Sequence, residues 1–157
     1  EAREVVGLGI SLGAACLAQA APLADPPLDA VILDTSFTST REMASSVLGV
    51  FPSGSQGWLA TLGQPMADWH AGCAMMRVCP EATIDQLRAP VLFLHSRGDP
   101  LIPCEHSVRL YERARGPKRL CVFDLPGHCD AFFVENDRYR NEVMAFRASL
   151  TARERKT

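Results

Sequence analysis

A serine stands between two glycines in Gly9-Ile10-Ser11-Leu12-Gly13, directly after the apolar run Val5-Val6-Gly7-Leu8. Two residues of matching chemistry follow it. Asp99 lies in Ser96-Arg97-Gly98-Asp99-Pro100, and His128 lies in Pro126-Gly127-His128-Cys129-Asp130. A serine hydroxyl is a weak nucleophile at neutral pH. An imidazole can take its proton, and a carboxylate can hold that imidazole in the working tautomer. The chemistry such a set performs is acyl transfer through an acyl-serine. Glycines on both sides of the serine suit a sharp strand-to-helix turn that lifts the hydroxyl clear of the backbone. The serine is expected to be strained, and side chains at both glycine positions to collide with the neighbouring strand and helix. Chance alone produces such a pentapeptide in roughly one chain in twenty of this length, so the argument rests on what accompanies the serine.

The positions of the acid and the histidine supply that company. Pro90-Val91-Leu92-Phe93-Leu94-His95 reads as a buried strand, and Asp99 falls in the turn just past it, with Pro103 near the start of the next helix. Arg119-Leu120-Cys121-Val122-Phe123 reads as a last strand, and the loop Asp124-Leu125-Pro126-Gly127-His128-Cys129-Asp130 leads to a final helix. In a parallel sheet both loops open on the edge that carries the serine turn, where open α/β sheets bind ligands. Asp34 ends another strand on that edge and is the second candidate acid. His95 is expected to support the acid loop, His70 and His106 to be surface or loop residues, and Asp130 to hold the histidine loop by hydrogen bonds. Cys129 is adjacent to His128, but neighbouring side chains on a loop usually diverge, which argues against a cysteine nucleophile.

The elements that must position these groups alternate between strand and helix. The spacing predicts strands at about 4–9, 29–33, 91–95 and 119–123. Helices are predicted at about 12–21, stopped by Pro22, then from the capping box Ser39-Thr40-Arg41-Glu42 to about 50, then 104–115 and 131–150. The last helix has Phe132, Val143, Phe146 and Leu150 as its apolar side. Residues 53–87 are interrupted by Gly54, Gly57, Gly63, Pro65, Gly72 and Pro80, as in a lid or cap segment. Trp58, Leu62, Met66, Trp69, Met75 and Met76 can line an acyl pocket or cover the sheet as ordinary core. Trp58, Met66 and Trp69 are taken as the substrate-binding candidates.

The chain resembles part of an α/β-hydrolase. The chain order Ser11, Asp99, His128 is that family's order. The resemblance is carried by Gly9-Ile10-Ser11-Leu12-Gly13, by Val31-Ile32-Leu33-Asp34-Thr35-Ser36-Phe37-Thr38-Ser39, by Leu94-His95-Ser96-Arg97-Gly98-Asp99-Pro100-Leu101-Ile102-Pro103 and by Gly127-His128-Cys129-Asp130. It implies an α/β fold with a four-stranded parallel sheet, strands five to eight of the family, flanked by helices. Residues 1–157 would form one hydrolase domain without its N-terminal half. The implied activity is that of a serine hydrolase acting on an ester, thioester or amide, with catalytic residues Ser11, Asp99 and His128 and the Leu12 N–H as oxyanion donor. The family's second oxyanion donor comes from the loop after its third strand, which the resemblance places outside this sequence. No metal or organic cofactor is implied. The first strand would then be an edge, open to self-association, and the second expectation is a non-catalytic fragment acting by pairing through that edge.

The composition fits a globular domain. The sequence is 47% hydrophobic with formal charge −2 and no acidic or basic block, which points away from nucleic acid. The partner implied is a small or lipid-like acyl substrate. No stretch is long and apolar enough to span a bilayer, and the location expected is cytoplasmic. Six cysteines, Cys16, Cys73, Cys79, Cys104, Cys121 and Cys129, form no C-x-x-C pair or zinc pattern. Cys16 and Cys121 are expected to be buried thiols, and Cys73 with Cys79 is the one conceivable pair.

Overall fold

Four apolar runs become the strands of one parallel sheet in the computed structural model, which describes residues 4–43 and 75–154. The strands are β1 (Val6–Ile10), β2 (Ala30–Asp34), β3 (Val91–Ser96) and β4 (Lys118–Phe123). They lie in the order β1-β2-β3-β4, each parallel to the next. The helices are α1 (Leu12–Ala20), α2 (Glu105–Arg113), α3 (Ala131–Val134) and α4 (Asn136–Glu154).

The two central strands are buried throughout. Their side chains alternate between two cores, as a period of two requires. Val31, Leu33, Val91 and Phe93 pack with Ala14 and Ala18 of α1 and Leu110 of α2. Ile32, Leu92 and Leu94 pack with Tyr139, Phe146 and Leu150 of α4. The result is three layers, with helices on both faces of the sheet, the arrangement continuous apolar parallel strands demand.

The turn between β1 and α1 shows why small residues recur there. A Cβ on Gly9 would come within 2.6 Å of the Gly13 main-chain oxygen and 2.7 Å of the Ala14 backbone, so α1 sits directly on β1. Gly13 differs from expectation: a Cβ there meets no described atom within 4 Å. The glycine before the serine is sterically required and the one after it is not.

Other expectations shift as well. The strand predicted at 4–9 runs from Val6 to Ile10; the first helix ends at Ala20, just before Pro22 as expected, and a 3-10 turn, Ala21–Leu23, follows. The last helix divides at Glu135 into α3 and α4, and the Asn136 side chain donates to the Phe132 carbonyl across the break. Phe132, assigned to the buried stripe, is therefore half exposed at 45%. Cys16 is exposed, because α1 turns its alanines, not its cysteine, to the sheet; Cys121 is buried. The Ser39 hydroxyl accepts the Glu42 N–H, as a capping serine does, while the Glu42 carboxylate accepts from the Thr38 hydroxyl and Arg109. Helix residues beyond Met43, most of segment 53–87 and Cys73 lie outside the described residues. The described end of that segment forms short 3-10 turns, Met75–Arg77, Pro80–Ala82 and Ile84–Gln86. Among the described residues, no helix is long and apolar enough to cross a membrane.

Candidate active site

Every strand ends on the same edge, and each end delivers a polar group there. Ser11 occupies the turn between β1 and α1 with φ 54° and ψ −120°. That left-handed φ is rare for a residue with a side chain and marks strain at the turn. The Ser11 N–H is tied to the end of β2 by donation to the Asp34 main-chain oxygen at 2.8 Å. Leu12 opens α1, so its N–H is among the first-turn donors that have no partner within the helix.

Asp99 leaves β3 by a tight turn, its N–H donating to the Ser96 carbonyl. Its Oδ1 accepts the N–H groups of Leu101 at 2.8 Å and Ile102 at 2.9 Å. Its Oδ2 accepts from His128 Nδ1 at 2.8 Å. A carboxylate can only accept, so the Nδ1 proton belongs to the histidine. In the neutral ring Nε2 is then free to accept, and Ser11 Oγ lies 3.2 Å from it. The structure brings Ser11, His128 and Asp99 into one hydrogen-bonded chain.

His95 lies behind this chain, fully buried, with Nδ1 2.6 Å from Ser107 Oγ, Nε2 2.9 Å from the Ile102 carbonyl and 3.9 Å from Asp99 Oδ2. Burial pushes its pKa down, the Ile102 contact and nearby carboxylates opposing this. It supports the acid loop, as its sequence position suggests. His106 is not the surface residue expected. It is 5% exposed on the inner side of α2, with Nδ1 2.8 Å from the Thr38 hydroxyl, and burial lowers its pKa. The Asp130 main-chain oxygen accepts the N–H groups of Phe133 and Val134 at the start of α3.

Asp34 ends β2 as expected, but its carboxylate is directed elsewhere. Oδ2 accepts the Tyr139 hydroxyl at 3.0 Å and Oδ1 the Thr35 hydroxyl at 3.0 Å. Burial raises its pKa, while these hydrogen bonds and the nearby His95 and His128 act the other way. Tyr139 is also shifted upward, by burial and then by the charge of Asp34. Sequence reasoning passed over Tyr139. The signal was its place in the helical stripe with Phe132, Val143, Phe146 and Leu150.

Cys129 does not diverge from its neighbour. Its φ of 57° turns the thiol back to 3.4 Å from His128 Nε2. Burial pushes that thiol up to about 11, so it stays protonated at neutral pH. Trp58, Met66, Trp69 and His70 lie outside the described residues.

No family model matches the sequence. The chain is 37% identical over 86 residues to the uncharacterized protein YqkD of Bacillus subtilis (strain 168), a match covering 52% of this chain and 28% of that protein. It is 29% identical over 118 residues to the uncharacterized protein YfhR of Escherichia coli (strain K12), covering 74% of this chain and 35% of that protein. The chain thus spans about a third of the length of the curated relatives it matches. Among solved structures, the Pyrococcus furiosus esterase Pf2001 superposes with a TM-score of 0.67 at 16% identity, over 96% of this chain and 55% of that one. An acylaminoacyl peptidase in complex with Z-Gly-Gly-Phe-chloromethyl ketone gives a TM-score of 0.68 at 16% identity, over 94% of this chain and 24% of that one. The parallel four-stranded sheet and its flanking helices are those of part of an α/β-hydrolase fold.

Proposed function

We propose that the chain carries the reacting groups of a serine hydrolase that cleaves an acyl ester, thioester or amide. The observation that supports this most is the relay from Ser11 Oγ through His128 to Asp99, at 3.2 Å and 2.8 Å. Ser11 Oγ attacks the acyl carbon as His128 Nε2 takes its proton. Asp99 Oδ2 stabilises the imidazolium that forms. The Leu12 N–H, at the positive end of α1, binds the oxyanion. The imidazolium then protonates the leaving group, and the acyl group stays on Ser11. Water attacks this ester with His128 as base, and the acid is released. Trp58, Met66 and Trp69 are proposed to lean the site toward an apolar acyl group. Hydrolases among the similar folds agree with this class of reaction.

The test is labelling by a fluorophosphonate and turnover of short p-nitrophenyl esters. Both should depend on Ser11 and His128, vanishing in Ser11→Ala and falling steeply in His128→Ala. A folded chain, or a longer polypeptide containing it, that neither labels nor turns over ester would reject the reading.

The outer edge of β1 favours a second reading. Among the described residues no strand pairs with it, and Val5, Leu8 and Ile10 are 49%, 53% and 47% exposed. Phe133 and Met144 extend this apolar surface. Such an edge invites pairing, and a second copy of the chain is the proposed occupant. Sedimentation should show a dimer that Leu8→Lys dissociates. A monomer at all concentrations would remove this reading.

A further inference from the structure

The proposed reaction leaves one buried carboxylate at the site without a task. Asp34 is 1% exposed, and a charge so placed is retained only with partners. Its partners come from both sides of the relay. Its main-chain oxygen holds the Ser11 N–H at 2.8 Å. Its side chain accepts the Tyr139 hydroxyl at 3.0 Å from α4, beyond the His128 loop. The Tyr139 ring is itself fixed, stacked on Phe123 at 6.1 Å between centroids and edge-on to Phe132 at 5.5 Å. Phe123 is the last residue of β4, where the loop begins, and Phe132 lies just past its end. Thr35, the other partner of the carboxylate, sits at φ 54°, a conformation a β-branched residue rarely adopts. A strained residue kept in place suggests that its geometry is held by the surrounding contacts.

We propose that Asp34, held by the Tyr139 hydroxyl, is a positioning residue that sets the nucleophile turn in register with the histidine loop. The proposal rests on the serine hydrolase reading, because register matters only if Ser11 and His128 react. Ser11 Oγ and His128 Nε2 come from the two outermost strands and meet at 3.2 Å. A displacement of about 1 Å at such a contact can cost on the order of 100-fold in rate. Asp34 lies on β2, between them, and touches elements from both sides.

Tyr139→Phe removes only the hydroxyl, and Asp34→Asn only the charge and part of the hydrogen bonding. Both variants and their combination are compared with the unaltered 157-residue chain. One readout is kcat and KM on p-nitrophenyl butyrate. The other is hydrogen exchange by mass spectrometry in residues 9–15, 124–131 and 91–96. Tyr139→Phe is expected to lower kcat about tenfold with KM within about twofold. Exchange should rise together in 9–15 and 124–131 while 91–96 stays protected. The double variant should fall no further than the weaker single variant, since both act through one bond. An unchanged kcat, losses that multiply in the double variant, or exchange rising throughout the chain would overturn the proposal. If the unaltered chain shows no Ser11-dependent turnover, the hydrolase reading fails on that result. The exchange pattern then decides on register alone, paired acceleration supporting it and its lack refuting it. If Tyr139→Phe does not fold, Asp34→Asn is read by the same criteria.

Discussion

Replacing Asp99 by asparagine tests the relay most sharply, because the contacts fix how the new side chain must sit. Asp99 Oδ1 accepts two main-chain N–H groups, from Leu101 and Ile102, at 2.8 and 2.9 Å. An asparagine can satisfy these only with its carbonyl oxygen, since an amide NH2 in that place would face two donors. Its NH2 then faces His128 Nδ1, now 2.8 Å from a carboxylate oxygen. A donor there forces Nδ1 to accept, so the neutral ring must carry its proton on Nε2. That proton points at Ser11 Oγ, and the ring can no longer act as base. The imidazolium of the transition state also loses its counter-charge. By analogy with the same exchange in serine proteases, the loss in kcat should be about 10³ to 10⁴-fold, or roughly 4 to 5.5 kcal/mol of transition-state stabilisation. The loop keeps its two N–H bonds, so the melting temperature should change by only a few degrees. The assay is kcat and KM on a short p-nitrophenyl ester beside a melting curve. A folded Asp99→Asn variant within tenfold of the unaltered kcat would refute the tautomer argument.

The remaining predictions concern stability. Gly9→Ala places a methyl within 2.6 to 2.7 Å of the α1 backbone, so it should destabilise by about 1–3 kcal/mol. Gly13→Ala meets open space among the described residues and should be neutral or stabilise by up to about 1 kcal/mol. Thermal melts that ranked the two equally would contradict this geometry. Burial lowers the pKa of both His95 and His106. The stability they contribute is therefore full above the ordinary histidine value of about 6.5 and is lost as pH falls through the lowered folded values. Asp34, raised by burial, works in the opposite sense, its contribution fading as pH rises through its raised value. The unfolding free energy should accordingly fall below about pH 6.5, by at most about 1.4 kcal/mol per pH unit for each proton taken up, and the melting temperature with it. His95→Gln and His106→Gln should each flatten that fall, and an unchanged slope in both would refute the assignment.

The strands were legible because both central ones are buried on two faces, and such strands read as unbroken apolar runs: Ala30 to Leu33 and Val91 to Leu94. The positions of Ser11, Asp99 and His128 were legible because each lies just past a strand, and parallel strands end together. Rotation about a helix axis was less so. Cys16 and His106 were misplaced because one step along a helix turns a side chain by about 100°. The sheet takes the small face of α1, and α2 buries His106 against Thr38. The Asp34–Tyr139 contact was hidden by separation: the two residues lie 105 positions apart and meet only across the α4 layer. The reach of Cys129 toward His128 depends on a positive φ that a cysteine rarely signals.

The order of the strands imposes a condition on the histidine loop. Ser11 follows β1 and His128 follows β4, and these two strands lie three strand spacings apart, roughly 14 Å. From Phe123 to His128 the chain has five steps, which span at most about 17 Å when extended. The loop must therefore run back across the sheet edge with little slack and pass close over β3. It does: the Arg97 N–H donates to the Phe123 carbonyl and the Gly98 N–H to the Leu125 carbonyl, at 2.8 and 2.9 Å. A Cβ on Gly98 would come within 3.1 Å of Pro126 and 3.2 Å of the Leu125 oxygen, so the glycine lets the loop cross low. The crossing takes it past Asp99, whose Oδ2 catches Nδ1 midway and leaves Nε2 pointing on toward β1. Asp99 thus follows the strand that the His128 loop must pass over, and Ser11 the strand it can just reach. Three residues far apart in sequence meet because strand spacing and loop length agree, and Asp34 on the remaining strand holds the Ser11 N–H through its main-chain oxygen and, through its carboxylate, Tyr139, whose ring stacks on Phe123 at the start of that path.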